Sequence, residues 1–425
     1  MQSVAVDAPT AGHWWGQLED PVLEHLIDSA LARNNDLASA ALTVRQAQLA
    51  AGLAAGQALP TVSVGFNSSS TRALASGSVA ARSAGATVAV SYEVDLWRRV
   101  ANTANAAQWQ AEATEQDRQS AALALVATTA TLYWRIGYLN QTIALAEQDL
   151  AYARRTLDLV RVKRKAGAAS ALDEAQAEQA LAVQLASNVE AIEARTEARF
   201  ALAILFDSPP EVQRPEPERL PKSGPPALRP DLPASVLARR PDLRAAEGRL
   251  RAALATADAT RASYYPTLTL TAGATTASNS LANWLANPVA SLGAGLILPF
   301  VQWSDMQRNV AVSQASYEIA VISFRKTLYS ALAEVETALS ATQLLAVQGE
   351  HLEHSLTAAL RAERLSEARY RAGAVPLTTW LDAQRTRRQA ESALAENRRA
   401  QWTNRVTLFQ ALGGDEGKFS ESFAK

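Results

Sequence analysis

Few side chains in this sequence have the types and spacing that chemistry requires. His351 and His354 lie three residues apart, and a glutamate precedes each, so one face of a helix could offer them to a metal ion. A solvated helix face accounts for the same four residues more simply. The sequence has no cysteine, only two methionines, no nucleophile elbow and no phosphate-binding loop. We therefore expect no catalytic site, no cofactor and no metal, and the chain is not predicted to be an enzyme.

Charge gives one local feature and no global one. Lysine and arginine number 41 against 42 aspartate and glutamate residues, so nothing favours nucleic acid as a partner. A basic run is made by Arg161, Lys163, Arg164 and Lys165, where a helix is predicted to end. Cations at a helix C-terminus complement the helix dipole, and the same run could equally serve the docking of a partner.

The elements that must position these side chains repeat along the chain. Trp97 recurs as Trp303 and Gly167 recurs as Gly373, an offset of 206 residues in each case. A constant offset indicates a tandem duplication. Prolines crowd the stretch between the two halves, where the periodicity ends. We predict a first repeat over residues 1–206, an equatorial linker over 207–235, a second repeat over 236–412 and a tail over 413–425.

Two strands are predicted in each half. Val88, Val90, Tyr92 and Val94 alternate with smaller or polar residues, which is the pattern of a strand with one apolar face. An ordinary soluble sheet would show the same alternation. If the strands span a membrane, four per chain cannot close a barrel, and open edges in lipid would leave backbone groups unpaired. Several chains would then have to share one barrel.

A very long helix follows the second strand of each half, over about residues 99–165 and 305–371. Between Leu125 and Val160, apolar residues recur at steps of four and three with Thr129 as the polar exception, which is the spacing of a coiled coil. At 1.5 Å per residue, such a helix is about 100 Å long, too long for a compact domain. Each long helix ends at a tight turn, and a shorter helix then returns.

At this point the residues resemble the TolC/OprM outer-membrane factor family, and most closely its RND-efflux lipoprotein branch. The resemblance covers nearly the whole chain, and it depends on the order of several short motifs, each of which is weak alone. These motifs are Trp14-Trp15, Tyr92 to Trp97, Leu237 to Glu247, Tyr265 to Leu268, Leu298 to Phe300, Leu381 to Arg385 and Ala411 to Gly414.

The resemblance implies a mainly α fold with a membrane β-barrel. Three chains would each give four strands to a shared 12-stranded barrel, and the long helices would form an α-helical coiled-coil barrel through the periplasm. The implied function is a passive outer-membrane channel of a tripartite efflux system in a Gram-negative bacterium. The implied partners are two further copies in a homotrimer, a periplasmic adaptor (membrane fusion) protein, an inner-membrane RND-type transporter and outer-membrane lipid. A soluble coiled-coil scaffold is the alternative that we keep from the residues alone.

The resemblance also implies a start for the chain and a place for its loops. Members of this branch usually begin with a lipidated cysteine, and polar residues follow Met1 where a signal peptide would need an apolar core. We expect that a leader and anchor have been replaced by Met1 or that this member has no anchor. The loops near residues 71–83 and 277–288 would be extracellular.

A periplasmic gate is implied by five residues near the two turns. Asp382 matches the family's constriction aspartate, and Asp173 and Tyr370 match a pair that ties an inner hairpin to its neighbour. Thr378 takes the place of a hydrophobic gate residue, and Thr379 takes the place of an acid, so we expect a constriction that is less apolar and less charged. A solvated helix face would explain Asp382 and Asp173 equally.

Adaptor docking is implied by small residues at the two turns. Gly167 and Ala168 in the first turn, and Gly373 and Ala374 in the second, match the positions on which an adaptor's helical hairpin packs. Small side chains at a helix end also suit the turn itself, with or without a partner.

Overall fold

The computed structural model describes residues 14–74, 80–221, 223–225 and 239–414. The element order predicted for each half, with two strands before a long helix, a turn and a returning helix, is confirmed. Several predictions fall partly outside the described residues: 222 and 226–235 of the linker, 415–425 of the tail, 75–79 of the first extracellular loop, and Met1. The repeat boundaries stay a prediction. The helices and strands are α1 (Pro21–Arg33), α2 (Asn35–Gly56), β1 (Thr61–Thr71), β2 (Ala81–Val94), α3 (Arg99–Lys165), α4 (Ala171–Ile204), α5 (Pro241–Ala262), β3 (Thr267–Thr275), β4 (Val289–Ile297), α6 (Trp303–Arg371) and α7 (Leu377–Ala411).

The chain forms two compact units, and each takes segments from both predicted repeats. The sheet unit comprises residues 41–117 and 242–328. The hairpin unit comprises residues 1–40, 118–241 and 329–425. Among the described residues, no helix has both the length and the apolar character needed to cross a bilayer.

The sheet unit contains one antiparallel sheet with the strand order β1-β2-β3-β4. Its register pairs apolar residues with apolar residues across all four strands: Val62 lies opposite Val90, Val90 opposite Ala272, and Ala272 opposite Leu292. Successive side chains in a strand point to opposite faces, so the other face carries mainly small and polar residues, such as Ser91 and its neighbour Thr271. The sheet therefore has one continuous apolar face and one polar face.

In the hairpin unit, α3 turns into α4 and α6 turns into α7. Most of the coiled-coil positions predicted on α3 are buried, including Leu125 and Ile136, while Leu132 and Ala146 are half-buried. Thr129 is fully buried as well, and its hydroxyl donates to the carbonyl of Leu125 at 2.8 Å, which satisfies the one polar member of the seam. Aromatic rings join the hairpins in this core, with Trp134 of α3 lying 4.8 Å from Trp402 of α7 between ring centroids.

Candidate gate and docking tips

The two hairpin turns have the same backbone geometry. Gly167 has φ of 75° and Gly373 has φ of 74°, in the left-handed region that suits glycine. In the first turn the amide of Ala168 donates to the carbonyl of Lys163 at 2.8 Å, and in the second the amide of Ala374 donates to that of Arg369 at 2.9 Å. This is the Schellman ending of a helix, in which a glycine is required at the left-handed position.

All four of the predicted docking residues are exposed at these turns. A Cβ atom added to Gly167 or to Gly373 would meet no other atom within 4 Å. The turns are thus closed by their own backbone hydrogen bonds, and within the described chain no side chain covers the two glycines.

Asp173 takes part in capping the N-terminus of α4. Its carboxylate accepts hydrogen bonds from the amide and the hydroxyl of Ser170 at 2.8 and 2.7 Å, while its own amide donates to the Ser170 hydroxyl at 3.1 Å. This reciprocal pattern is a capping box, and the Ser-x-x-acid spacing that signals it is visible in the sequence. The sequence analysis missed this role for Asp173.

Tyr370 is buried with 6% of its surface exposed, at the end of α6. Its ring stacks on Trp380 of α7, with centroids 5.3 Å apart and planes 28° apart. Its hydroxyl is buried and has no hydrogen-bond partner in the described chain. Burial, and then the charge of Asp173, raise the pKa of Tyr370. The predicted Asp173 and Tyr370 pair is therefore close enough to interact electrostatically but is not hydrogen-bonded within one chain.

The first turn of α7 separates two faces. Leu377 and Trp380 are buried, whereas Thr378 and Thr379 are exposed, as is Asp382, which lies four and three residues after them. The Asp382 side chain is 64% exposed and pairs with Arg385 at 2.9 Å, within the same helix. The three predicted gate residues on α7 thus share one free face, and the buried residues of the same turn fix the direction of that face.

Two of the four basic residues at the end of α3 form salt bridges within the first hairpin, which consists of α3 and α4. Arg161 lies 3.0 Å from Glu174 and 2.8 Å from Glu178 of α4, and Arg164 contacts Glu174 as well. Hydrogen bonds from Arg164 and then from Arg161 lower the pKa of Glu174. Lys163 points to the second hairpin, formed by α6 and α7, and its Nζ donates to the carbonyl of Tyr370 at 3.1 Å.

A buried charge cluster joins three helices farther from the turns. Arg387 of α7 lies 2.7 Å from Glu363 of α6 and also contacts Asp149 of α3 and Glu391 of α7. The side chains of Arg387 and Glu363 are only 11% and 9% exposed, and burial raises the pKa of Glu363. Sequence analysis could not find this cluster, because Asp149 and Arg387 are separated by 238 residues.

The two histidines considered for a metal site lie on α6. His351 and His354 are both exposed. Within the described ranges, no group of three or more side chains of the metal-ligating types comes together. These residues therefore form part of a polar helix surface.

Comparison with known proteins identifies the family. The model of the outer membrane efflux protein family matches residues 26–206 and 232–414. The pyoverdine export outer membrane protein OpmQ of Pseudomonas aeruginosa is 32% identical, over 96% of this chain and 88% of its own length.

Solved structures share the fold over nearly the whole chain. The outer-membrane channel OprN superposes with a TM-score of 0.87 at 23% identity, over 98% of this chain and 96% of its own. The open-state MtrE channel of Neisseria gonorrhoeae has a TM-score of 0.82 at 29% identity, over 93% of this chain and 89% of its own. These structures are channels with an α-barrel and a β-barrel, which confirms the predicted fold class.

The family decides between the two functions kept from the residues. Its members are transport proteins and not enzymes, they work with efflux pumps, and they assemble as trimers. A soluble scaffold is therefore the wrong alternative. The chain belongs to the outer membrane efflux protein family, as an efflux channel of the Gram-negative outer membrane.

Proposed function

We propose that three copies of this chain form one channel, which receives substrates from an inner-membrane RND-type transporter through a periplasmic adaptor protein. The observation that carries the assembly is the sheet. Within the described chain, β1 pairs only with β2 and β4 pairs only with β3, so each leaves one edge without partners. An open edge in hydrocarbon leaves backbone groups unsatisfied at a cost of several kcal/mol each, and edges of further copies would satisfy them.

The two faces of the sheet suit such a barrel. Exposed apolar side chains such as Val64 and Leu292, which are 76% and 89% exposed, lie on one face and would contact outer-membrane lipid. Serine, threonine and glycine residues lie on the other face and would line a water-filled passage. Three copies with four strands each give a 12-stranded barrel.

The adaptor would dock on the two turns. Gly167 and Ala168, and equally Gly373 and Ala374, are exposed, small and held in the same Schellman geometry. A helical hairpin can approach a backbone closely only where no side chain intervenes. Each chain therefore offers two similar docking positions.

The gate would lie on the free face of α7. Three copies would bring three Asp382 side chains, together with Thr378 and Thr379, around the channel axis. Rings of carboxylates attract cations in other pores. Each Asp382 pairs with an Arg385, which would reduce the negative charge of this ring. Asp173 and Tyr370 would hold the hairpins from the side of the turns.

The test begins with the mass of the purified protein in detergent, for which we expect a trimer. A folded monomer with a stable sheet would refute the shared barrel.

Docking is tested by co-purification with the adaptor encoded beside the transporter of the same cell. Ala374→Trp should reduce co-purification while the trimer persists, and Ala282→Trp, in the β3–β4 loop, is the matched control. Equal recovery with both variants would refute docking at the turns.

A further inference from the structure

Lys163 lies near the end of α3 and makes a polar contact with the α6–α7 hairpin. Farther from the turn, Asp149 contacts Arg387 and Tyr152 donates to Glu367 at 2.8 Å. Lys163 then lies two residues before the end of α3, and its Nζ reaches the end of α6. Among the described residues, its hydrogen bond is the one between hairpins that lies nearest to both turns. Leu157 and Val160 of α3 share one buried apolar cluster with Tyr370, Leu377 and Trp380, and Lys163 adds a polar restraint to this packing of the two tips.

One ammonium group makes two contacts with a single residue. Nζ of Lys163 donates to the carbonyl oxygen of Tyr370 at 3.1 Å and lies 4.2 Å from the centroid of the Tyr370 ring. Carbonyls in the last turn of a helix carry partial negative charge, and so does the face of an aromatic ring. The contact with the ring requires a cation and the contact with the carbonyl requires a donor, so an uncharged side chain of similar length without a donor, such as methionine, would lose both.

The second hairpin holds Tyr370 ready for this contact. The ring is stacked on Trp380, and the same carbonyl that Lys163 reaches also accepts the amide of Gly373 at 3.0 Å. The Tyr370 hydroxyl makes no hydrogen bond with any described residue, so it does not help to position the ring. Lys163 thus binds a ring and a carbonyl that the α6–α7 hairpin has already fixed in place.

We propose that Lys163 is a latch: its contact with Tyr370 holds the α3–α4 and α6–α7 tips of one chain together, and release of this contact is part of channel opening. The latch rests on the gate position proposed above. The plainer role for Lys163, a cation that complements the dipole of its own helix, applies equally to Lys165 in the same last turn. The latch therefore predicts an effect on the tips for Lys163 alone, whereas the dipole role predicts similar effects for Lys163 and Lys165.

The distance between the tips is the direct measurement. Because the chain has no cysteine, Ala168→Cys and Ala374→Cys introduce the only two labelling sites, and spin labels there report the distance by pulsed electron resonance. Labelled chains are diluted into an excess of unlabelled chains, so that most of the trimers that carry label have one labelled copy. Lys163→Met should lengthen and broaden the distance, Lys163→Arg should preserve it, and Lys165→Met should leave it unchanged.

Conductance in planar bilayers is the second measurement. We expect Lys163→Met to raise the ratio of open to closed channel about tenfold, equivalent to ~1.4 kcal/mol, because cation–π and charge-assisted contacts are of this size. An unchanged tip distance in Lys163→Met, or equal effects of Lys163→Met and Lys165→Met, would overturn the latch. Failure of the proposed function is distinct: the wild-type chain would then neither form a trimer nor conduct, whatever the tip distance does.

Discussion

Arg387→Met should loosen the hairpin unit more than any substitution of an exposed arginine. The variant keeps the length of the side chain and removes the guanidinium that contacts Asp149, Glu363 and Glu391. Because Asp149 and Glu363 are 12% and 9% exposed, water cannot replace the lost partner easily. Breaking a buried ion pair in this way costs about 3 to 5 kcal/mol, and Arg388 nearby offsets part of it, so we expect about 3 kcal/mol.

The stability lost in Arg387→Met should also depend on pH, and the direction of this dependence follows from the pKa of Glu363. Its pKa is raised in the folded chain by burial, so protonated Glu363 favours the folded state, and this contribution disappears as pH rises through the folded pKa. Without the charge of Arg387, the pKa of Glu363 should rise further, since that charge lowers it in the wild type. The deficit of Arg387→Met should therefore be largest at high pH, where Glu363 is ionised, and shrink as falling pH protonates it.

Hydrogen exchange of peptides from α3 and α7, followed by mass spectrometry, measures this local opening. Arg385→Met is the matched control, because Arg385 is 65% exposed and its pair with Asp382 should contribute less than about 1 kcal/mol. If both variants exchange equally fast near residues 149 and 387, the cluster does not stabilise the unit. A deficit that grows as pH falls would contradict the role given to Glu363.

Three further predictions concern the tips and the gate. Ala374→Trp should lower export in cells while the amount of trimer stays constant, whereas Ala282→Trp should leave export unchanged; normal export with Ala374→Trp would remove the support for docking at the turns. Asp382→Asn should lower the preference for cations in planar bilayers, and Arg385→Met should raise it, each by about fivefold or less because unit charges 4 Å apart in water interact by ~1 kcal/mol; unchanged selectivity in both would mean that Asp382 is only a solvated helix residue. Tyr370→Phe should leave the tip distance unchanged and Tyr370→Leu should lengthen it, since the ring and not the hydroxyl meets Lys163; a longer distance in Tyr370→Phe would favour a hydrogen bond of that hydroxyl as the link.

Local patterns in the sequence predict the helices and strands and the apolar face of each. The steps of four and three on α3 predicted a seam, and Leu125, Thr129 and Ile136 are buried there. Alternation in β2 predicted one apolar face, and the register places Val88 and Val90 on it. These predictions succeed because the period of a helix or strand is set by neighbours in sequence.

Contacts between hairpins could not be predicted in the same way. Lys163 and Tyr370 are 207 residues apart, and nothing in either helix alone indicates that one will reach the other. From sequence alone the basic residues at the end of α3 form one feature, whereas the structure gives its members separate contacts. Arg161 and Arg164 hold α4, while Lys163 contacts α6. Only the packing of the two hairpins distinguishes these contacts.

The apolar face of the sheet and its two free edges have a consequence for biogenesis. A single folded chain presents both at once, with Val64 and Leu292 largely exposed beside strands that can still accept partners. Exposed apolar surface next to unpaired strand edges makes a chain prone to aggregation in water. We therefore expect a solitary copy in the periplasm to be short-lived in this conformation, with either a chaperone covering its strands in transit or the sheet forming only as copies meet at the membrane.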